Sequence, residues 1–275
     1  MTVIRRYGTA FLLLCALPGL AEAQLYFSED NNGSGLYTLD TATGAATNVG
    51  TSGVTNSTVG LAPSASPGIL FGTQWSQLLE IQADGSGSVI IGGDGQEGLA
   101  FDPATGTLYG AINGNFRTVD PATGLNQTAL ATPPGNADVE GIAWGNGGVY
   151  AIAGGDTNLY FYDPGTDSWA TIGSTGITWD SAGLAFDPGT NTLYAKGDQD
   201  SNLYSIDPAT GAATVIGDTG IANGGGLAFV GPGPGPGPGP APGPTAIPTL
   251  SVWSLLLLAG MLLTVAGSRL ARQRG

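Results

Sequence analysis

Residues 25–50 read LYFSEDNNGSGLYTLDTATGAATNVG, and residues 193–217 read LYAKGDQDSNLYSIDPATGAATVIG. The two stretches agree almost position by position, but they differ in what precedes them. The second follows GLAFDPGTN (183–191), an apolar strand and a turn, whereas nothing comparable precedes the first. The missing strand stands at the far end of the same region. Residues 224–230, GGGLAFV, begin the phrase again and break off into proline and glycine. Each fragment supplies what the other lacks.

Working outward, a glycine followed by a short apolar run recurs at Gly60 (VGLAP), Gly98 (EGLAF), Gly141 (EGIAW), Gly183 (AGLAF) and Gly226 (GGLAF), at intervals of 38, 43, 42 and 43 residues. A period in the low forties, divided into four short strands, is the pattern of a β-propeller blade. The clearest unit, 183–217, reads as strands GLAFD, TLYAK, NLYSID and ATVIG. Its turns DPGTNT and DPATGA share one chemistry: Asp accepts backbone N–H bonds, Pro fixes the next φ, and Gly permits a positive φ. Asp102, Asp120, Asp163, Asp187 and Asp207 are therefore read as turn formers. Four internal blades (roughly 51–93, 94–130, 131–174 and 175–218) and one composite blade make five. The expected fold is all-β: a five-bladed β-propeller of four-stranded blades over 24–230, closed by N-terminal/C-terminal strand pairing that leaves no edge between blades. One C-terminal transmembrane helix is expected outside it.

The ends have a different character. Residues 1–23 show a basic start, an apolar centre and Ala21-Glu22-Ala23, the features of a signal peptide cut before Gln24. Arg5-Arg6 also admits a twin-arginine export reading. Cys15, the chain's one cysteine, lies in the apolar centre and leaves with the peptide, so the mature protein has neither disulfide nor thiol. At the other end, VWSLLLLAGMLLTVAG (252–267) is an apolar run a little short of the ~20 residues that span a bilayer comfortably. Arg269, Arg272 and Arg274 follow it and favour a cytoplasmic C-terminus. Residues 231–246, mostly alternating Gly and Pro, read as an extended spacer between body and membrane.

The last 29 residues resemble the IPTL-CTERM sorting signal of bacterial envelope proteins: Ile247, Pro248, Thr249, Leu250 and Ser251, then Trp253, an apolar helix and the basic tail. Val252 and Ser254 stand where that signal usually has Glu and Gly. The resemblance implies processing by signal peptidase and an exosortase-type enzyme, as in the similar PEP-CTERM system. It also implies a place among proteins that accompany exopolysaccharide production and biofilm formation. A permanent single-span anchor is the plain alternative. The body, in turn, resembles bacterial secreted propellers carrying LYxIDPATGAATxIG phrases, here LYSIDPATGAATVIG at 203–217. That resemblance implies a fold and leaves function open, because propellers host hydrolases, lyases, lectins and scaffolds alike.

Chemistry is narrowed by what the chain lacks. It has no histidine, so a Ser-His-Asp triad is excluded. Twenty of its 21 acidic residues, but only Arg117 and Lys196 of its seven cations, fall in the body, whose net charge is about −18. Nucleic acid and other polyanions are therefore poor direct partners. Glu97 and Glu140 each precede a blade-opening glycine, Asp180 stands three residues before Gly183, and Asp94 and Asp138 are near in sequence. The b–c loops EDNNGSG (29–35), GDTN (155–158) and GDQDSN (197–202) share their face. Glu97, Glu140 and Asp180 are the candidates for an axial Ca²⁺ site, since Ca²⁺ takes oxygen ligands in flexible geometry; the alternative is a rim of solvated acids. Trp75, Trp144, Trp169 and Trp179 are candidates for stacking on sugars; Trp144 is read as core, and Trp179, the better placed for exposure, is also read first as packing.

Two functions follow. The first is a non-enzymatic binding or scaffold protein at the cell surface or in the matrix, with polysaccharide or surface proteins as partners. The second is a carbohydrate-active enzyme or Ca²⁺-dependent hydrolase using Glu97, Glu140 and Asp180 as axial carboxylates.

Overall fold

The computed structural model describes residues 23–30, 35–53 and 58–231. The strands β1 (Gln24–Ser28), β2 (Gly35–Leu39) and β3 (Ala46–Thr51) come first. The first complete blade is β4 (Gly60–Pro63), β5 (Ile69–Gln74), β6 (Gln77–Gln82) and β7 (Ser88–Gly92). The second is β8 (Gly98–Asp102), β9 (Thr107–Ile112), β10 (Asn115–Val119) and β11 (Asn126–Ala129). The third is β12 (Val139–Gly145), β13 (Gly148–Ala153), β14 (Asn158–Asp163) and β15 (Ser168–Ser174). The fourth is β16 (Gly183–Asp187), β17 (Thr192–Lys196), β18 (Asn202–Ile206) and β19 (Ala213–Asp218). The last strand, β20 (Leu227–Val230), pairs with β1, giving a fifth sheet in the order β20-β1-β2-β3. All sheets are antiparallel and four-stranded, and Leu25, Tyr26 and Phe27 stand opposite Phe229, Ala228 and Leu227. The two fragments make one blade.

Burial follows position in the blade. The first strands β8 and β16 are buried along their whole length, whereas the outer strands β7 and β15 are largely exposed. A strand covered on both faces needs an unbroken apolar run, which is what GLAFD provides. Five apolar clusters fill the seams between neighbouring blades. The seam between the fourth and composite blades, for example, joins Ala185, Tyr194 and Leu203 to Leu25, Phe27, Leu227 and Phe229. Each fully buried Leu or Phe contributes about 1.5–3 kcal/mol. The composite blade packs like any other.

The five repeat glycines do one job, which is to let the inner strands touch. A Cβ on Gly60 or Gly141 would stand 2.6 Å from the carbonyl oxygen of Glu97 or Ala182 in the next blade. On Gly98 or Gly183 it would come closer still to that of Glu140 or Gly225, and on Gly226 it would meet Gly60 and the amide of Leu61. The contacts run from blade to blade and return to the first. At the rim, a Cβ on Gly211 of the DPATG turn would lie 2.8 Å from the Gly173 oxygen of the preceding blade. The turn aspartates act as expected. Asp207 accepts the Ala209 amide at 2.9 Å and the Thr210 hydroxyl at 2.8 Å, and Asp102, Asp120, Asp163 and Asp187 each accept an amide two residues on.

Among the described residues no helix is long and apolar enough to cross a membrane. The expected leader, apart from Ala23, and the spacer beyond Gly231, with the sorting segment 247–275, lie outside the described residues.

Gly98→Ala is expected to destabilise the body by about 1–3 kcal/mol, the usual cost of forcing an atom into a packed site. The measurement is urea unfolding, and unchanged stability would contradict the close approach.

Candidate functional site

Because the carbonyls of Glu97, Glu140, Ala182 and Gly225, each just before a ring glycine, abut the neighbouring blade, these residues are fixed at the mouth of the central channel. With Val59 before Gly60 they make five positions round the ring, two of which carry acids. Glu97 and Glu140 line one cavity of about 150 Å³ together with Val59, Trp75, Ser181 and Ala182.

The two carboxylates are held differently. Glu97 accepts the Asn113 amide at 3.3 Å through Oε2. Partial burial pushes its pKa up against that bond, with Asp138 and Asp30 adding to the rise. Glu140 is more extreme, since its Oε2 is buried with no hydrogen-bond partner. Burial, then Glu97, Asp138 and Asp180, raise its pKa to about 7. Asp138 accepts the Gly114 amide at 2.7 Å. Asp180 is exposed, and its carbonyl oxygen accepts the Asp198 amide at 2.9 Å.

Two further members of this rim, Asp30 and Asp198, lie in the loops 29–35 and 197–202 that the sequence puts on this face without singling them out. Asp198 is raised by burial and by the charges of Asp30 and Asp180, so the mutual repulsions run Asp30–Glu97–Glu140–Asp180–Asp198 and back to Asp30. The signal was available: alignment of the two stretches quoted first puts Asp30 opposite Asp198. Asp94 is turned away, its Oδ2 accepting the Asn126 amide of outer strand β11 at 3.1 Å. Among the described residues no three of these groups form a cluster that could hold a metal ion. The arrangement is a ring of like charges rather than a preformed coordination shell.

The same alignment puts Lys196 where the composite blade has Ser28. Lys196 is fully buried, with Nζ donating to the carbonyl oxygens of Asn223 (2.5 Å) and Gly197 (3.4 Å), 5.1 Å from the centroid of the Phe27 ring. Burial lowers its pKa to about 8, while Asp198, Asp200, Glu29 and Asp218 oppose that fall. It is the one cation under the acidic face.

Comparison with known proteins fits this geometry to a fold. No protein-family model matches the chain, and no curated protein matches it. Solved structures do match: a chain of the crystal structure of a nidogen/laminin complex is similar with a TM-score of 0.53 at 15% identity, over 76% of this chain and 82% of that one. The chain is a five-bladed β-propeller. At that identity the likeness concerns architecture alone.

Three of the four tryptophans pack against the body, as the first reading of Trp144 and Trp179 has it. Trp179 is buried, 1% exposed, with Nε1 donating to the Thr175 hydroxyl at 3.1 Å and its ring edge-on to Tyr204. The connection that carries it folds back over the seam between the third and fourth blades, so the ring packs inward. Trp144 stacks on Tyr109 at 5.7 Å, and Trp169 packs on Phe116 while donating to the Ala131 oxygen at 2.8 Å. Trp75 is the exposed one at 56%, in the tight turn between β5 and β6 at the cavity edge.

A carboxyl whose folded pKa is raised stabilises fully below its unfolded value, and that contribution is lost as pH rises through the folded value. For Glu140 the window runs from 4.5 to about 7. The melting temperature should therefore be higher at about pH 5 than at about pH 8. Glu140→Gln should raise it at the upper pH and flatten the dependence. A variant with the wild-type slope would contradict this placement of Glu140.

Proposed function

We propose that this chain is an exported, envelope-held and non-enzymatic binding propeller that offers its acidic mouth to a partner at the cell surface or in the extracellular matrix. The observation that carries the reading is the direction of the closing strands. β20 starts at the glycine ring beside the mouth and ends at Val230, opposite Gln24, on the face of the Asp-Pro turns. The chain thus enters and leaves the disc on the turn face, and the acids occupy the other. If residues 1–23 are removed by signal peptidase and residues 247–275 are held or processed at the membrane by an exosortase-type enzyme, the turn face is tethered and the mouth is free. That the similar propeller belongs to a nidogen/laminin complex supports a protein partner. The charge of the mouth selects a cationic segment, or a matrix polysaccharide held through a bridging cation such as Ca²⁺.

One observation favours a second reading. Glu140, protonated near neutrality beside Glu97 and an exposed tryptophan, has the environment of a general acid in a glycosidase. The cavity of about 150 Å³ is small against the ~300–1,000 Å³ of ordinary ligand sites, which keeps binding first.

The test is calorimetric titration of the protein with a Lys/Arg-rich peptide and, separately, with Ca²⁺. Binding that weakens with salt and drops at least about tenfold, about 1.4 kcal/mol, in the double variant Glu97→Gln/Glu140→Gln is expected. Binding indifferent to both substitutions would remove the mouth as the site. Hydrolysis of glycosidic substrates that the same substitutions abolish would establish the second reading instead.

A further inference from the structure

Lys196 is the only lysine in the sequence, and its amine is spent on no surface contact. Its position at the ring closure is specific. It comes from the end of β17, and the oxygen nearest to it belongs to Asn223, in the segment leading into the last strand. The side-chain amide of Asn223 donates through Nδ2 to Glu29 Oε1 at 2.7 Å, across 194 residues of sequence. Glu29 follows β1, the strand that pairs with β20, and its other oxygen accepts the Tyr37 hydroxyl at 3.3 Å. The amine therefore rests on the backbone oxygen of the same residue whose carboxamide donates to Glu29, where the first strand, the last strand and the fourth blade are brought together. Phe27, itself fully buried, lies over the amine.

We propose that Lys196 and Asn223 become joined through an isopeptide bond, with Glu29 moving the proton. The neutral Nζ attacks Cγ of the Asn223 side chain. The Nζ–Cγ bond forms, the Cγ–Nδ2 bond breaks, and Nδ2 leaves as ammonia. Glu29 takes the proton released by Nζ and delivers one to the departing nitrogen, which it already contacts. No oxidant or cofactor is needed.

Two physical conditions favour the step. Burial holds the amine near pKa 8, so roughly a tenth of it is neutral at pH 7. The hydrogen bond from Nζ to the Asn223 backbone oxygen holds the nucleophile at the residue that carries the amide, which makes the reaction intramolecular and lowers its entropic barrier. The competing route, attack on the same amide by the Gly224 nitrogen, is restrained because that N–H is donated to Asp198. The product ties β17 to the segment before β20, a covalent lock for a mature chain expected to hold no cysteine. The inference concerns ring closure and stands apart from the partner assigned to the mouth.

A lysine-specific protease reads the bond directly, because an acylated Nζ is not recognised. The purified full chain is denatured and digested, and its mass is compared with that of Glu29→Gln and Asn223→Ala. Wild type is expected to stay in one piece and to weigh one ammonia less than its residues require. The variants are expected to be cut after residue 196 at full mass. A wild-type chain cut in two overturns the proposal, even if ammonia has been lost, since that loss then arose elsewhere. An uncut wild type of full mass overturns it as well. The wild-type measurement decides alone, whatever the variants' folding.

Discussion

The architecture depends on one kind of contact made five times: a glycine at the start of an inner strand lies against the backbone at the next such glycine or just before it. Any side chain there would hold two blades apart near the axis, where there is least room to yield. Because the contacts return from Gly226 to Gly60, the ring has no first or last blade, although the chain does. The apolar seams supply the free energy, while the glycine contacts set how near the blades come and thereby whether five close.

The acidic mouth is a by-product of that contact which the sequence then elaborates. In four of the five blades the residue before the glycine has its carbonyl fixed by the neighbouring blade, so its side chain has little choice but to face the channel entrance. Where it is glutamate, burial and then the crowding of charge act together, and the pKa of Glu140 rises to about 7. A fold that used these positions only for packing would have kept them as Val59, Ala182 and Gly225 are. Holding Glu140 there costs stability near neutral pH, and that cost is the ground on which the mouth is proposed as the functional face.

The fold was legible because it is written as a period. The repeated phrase gave strand order, the turn aspartates and the composite blade, and the strands of the fourth blade fall where GLAFD, TLYAK, NLYSID and ATVIG predict. The site was less legible, because a channel mouth gathers one or two residues from each of several blades and no local motif records their meeting. Glu97 and Glu140 were visible through the ring glycine beside them. Asp30 and Asp198 sit in loops whose face was legible, but singling them out needs the alignment of two distant repeats. Trp179 was ambiguous because an inter-blade connection admits exposure, whereas this one folds over a seam. Trp75 sits in a turn too short to bury it, a clue of length rather than of composition. Lys196 gave no signal at all in sequence. Its meaning comes from Asn223 and Glu29, which only the closed ring brings near.

If closure is the central constraint, the first and last strands must be as secure as any internal pair. Native-state hydrogen exchange on the whole protein measures this residue by residue. The account predicts that the amides of Tyr26 and Ala228, across the β1–β20 seam, exchange only through the same global opening that releases Ala100 and Tyr109 in the second blade. Early exchange of the β1–β20 amides, while the second blade stays protected, would show an open ring with a loosely docked strand and would contradict it.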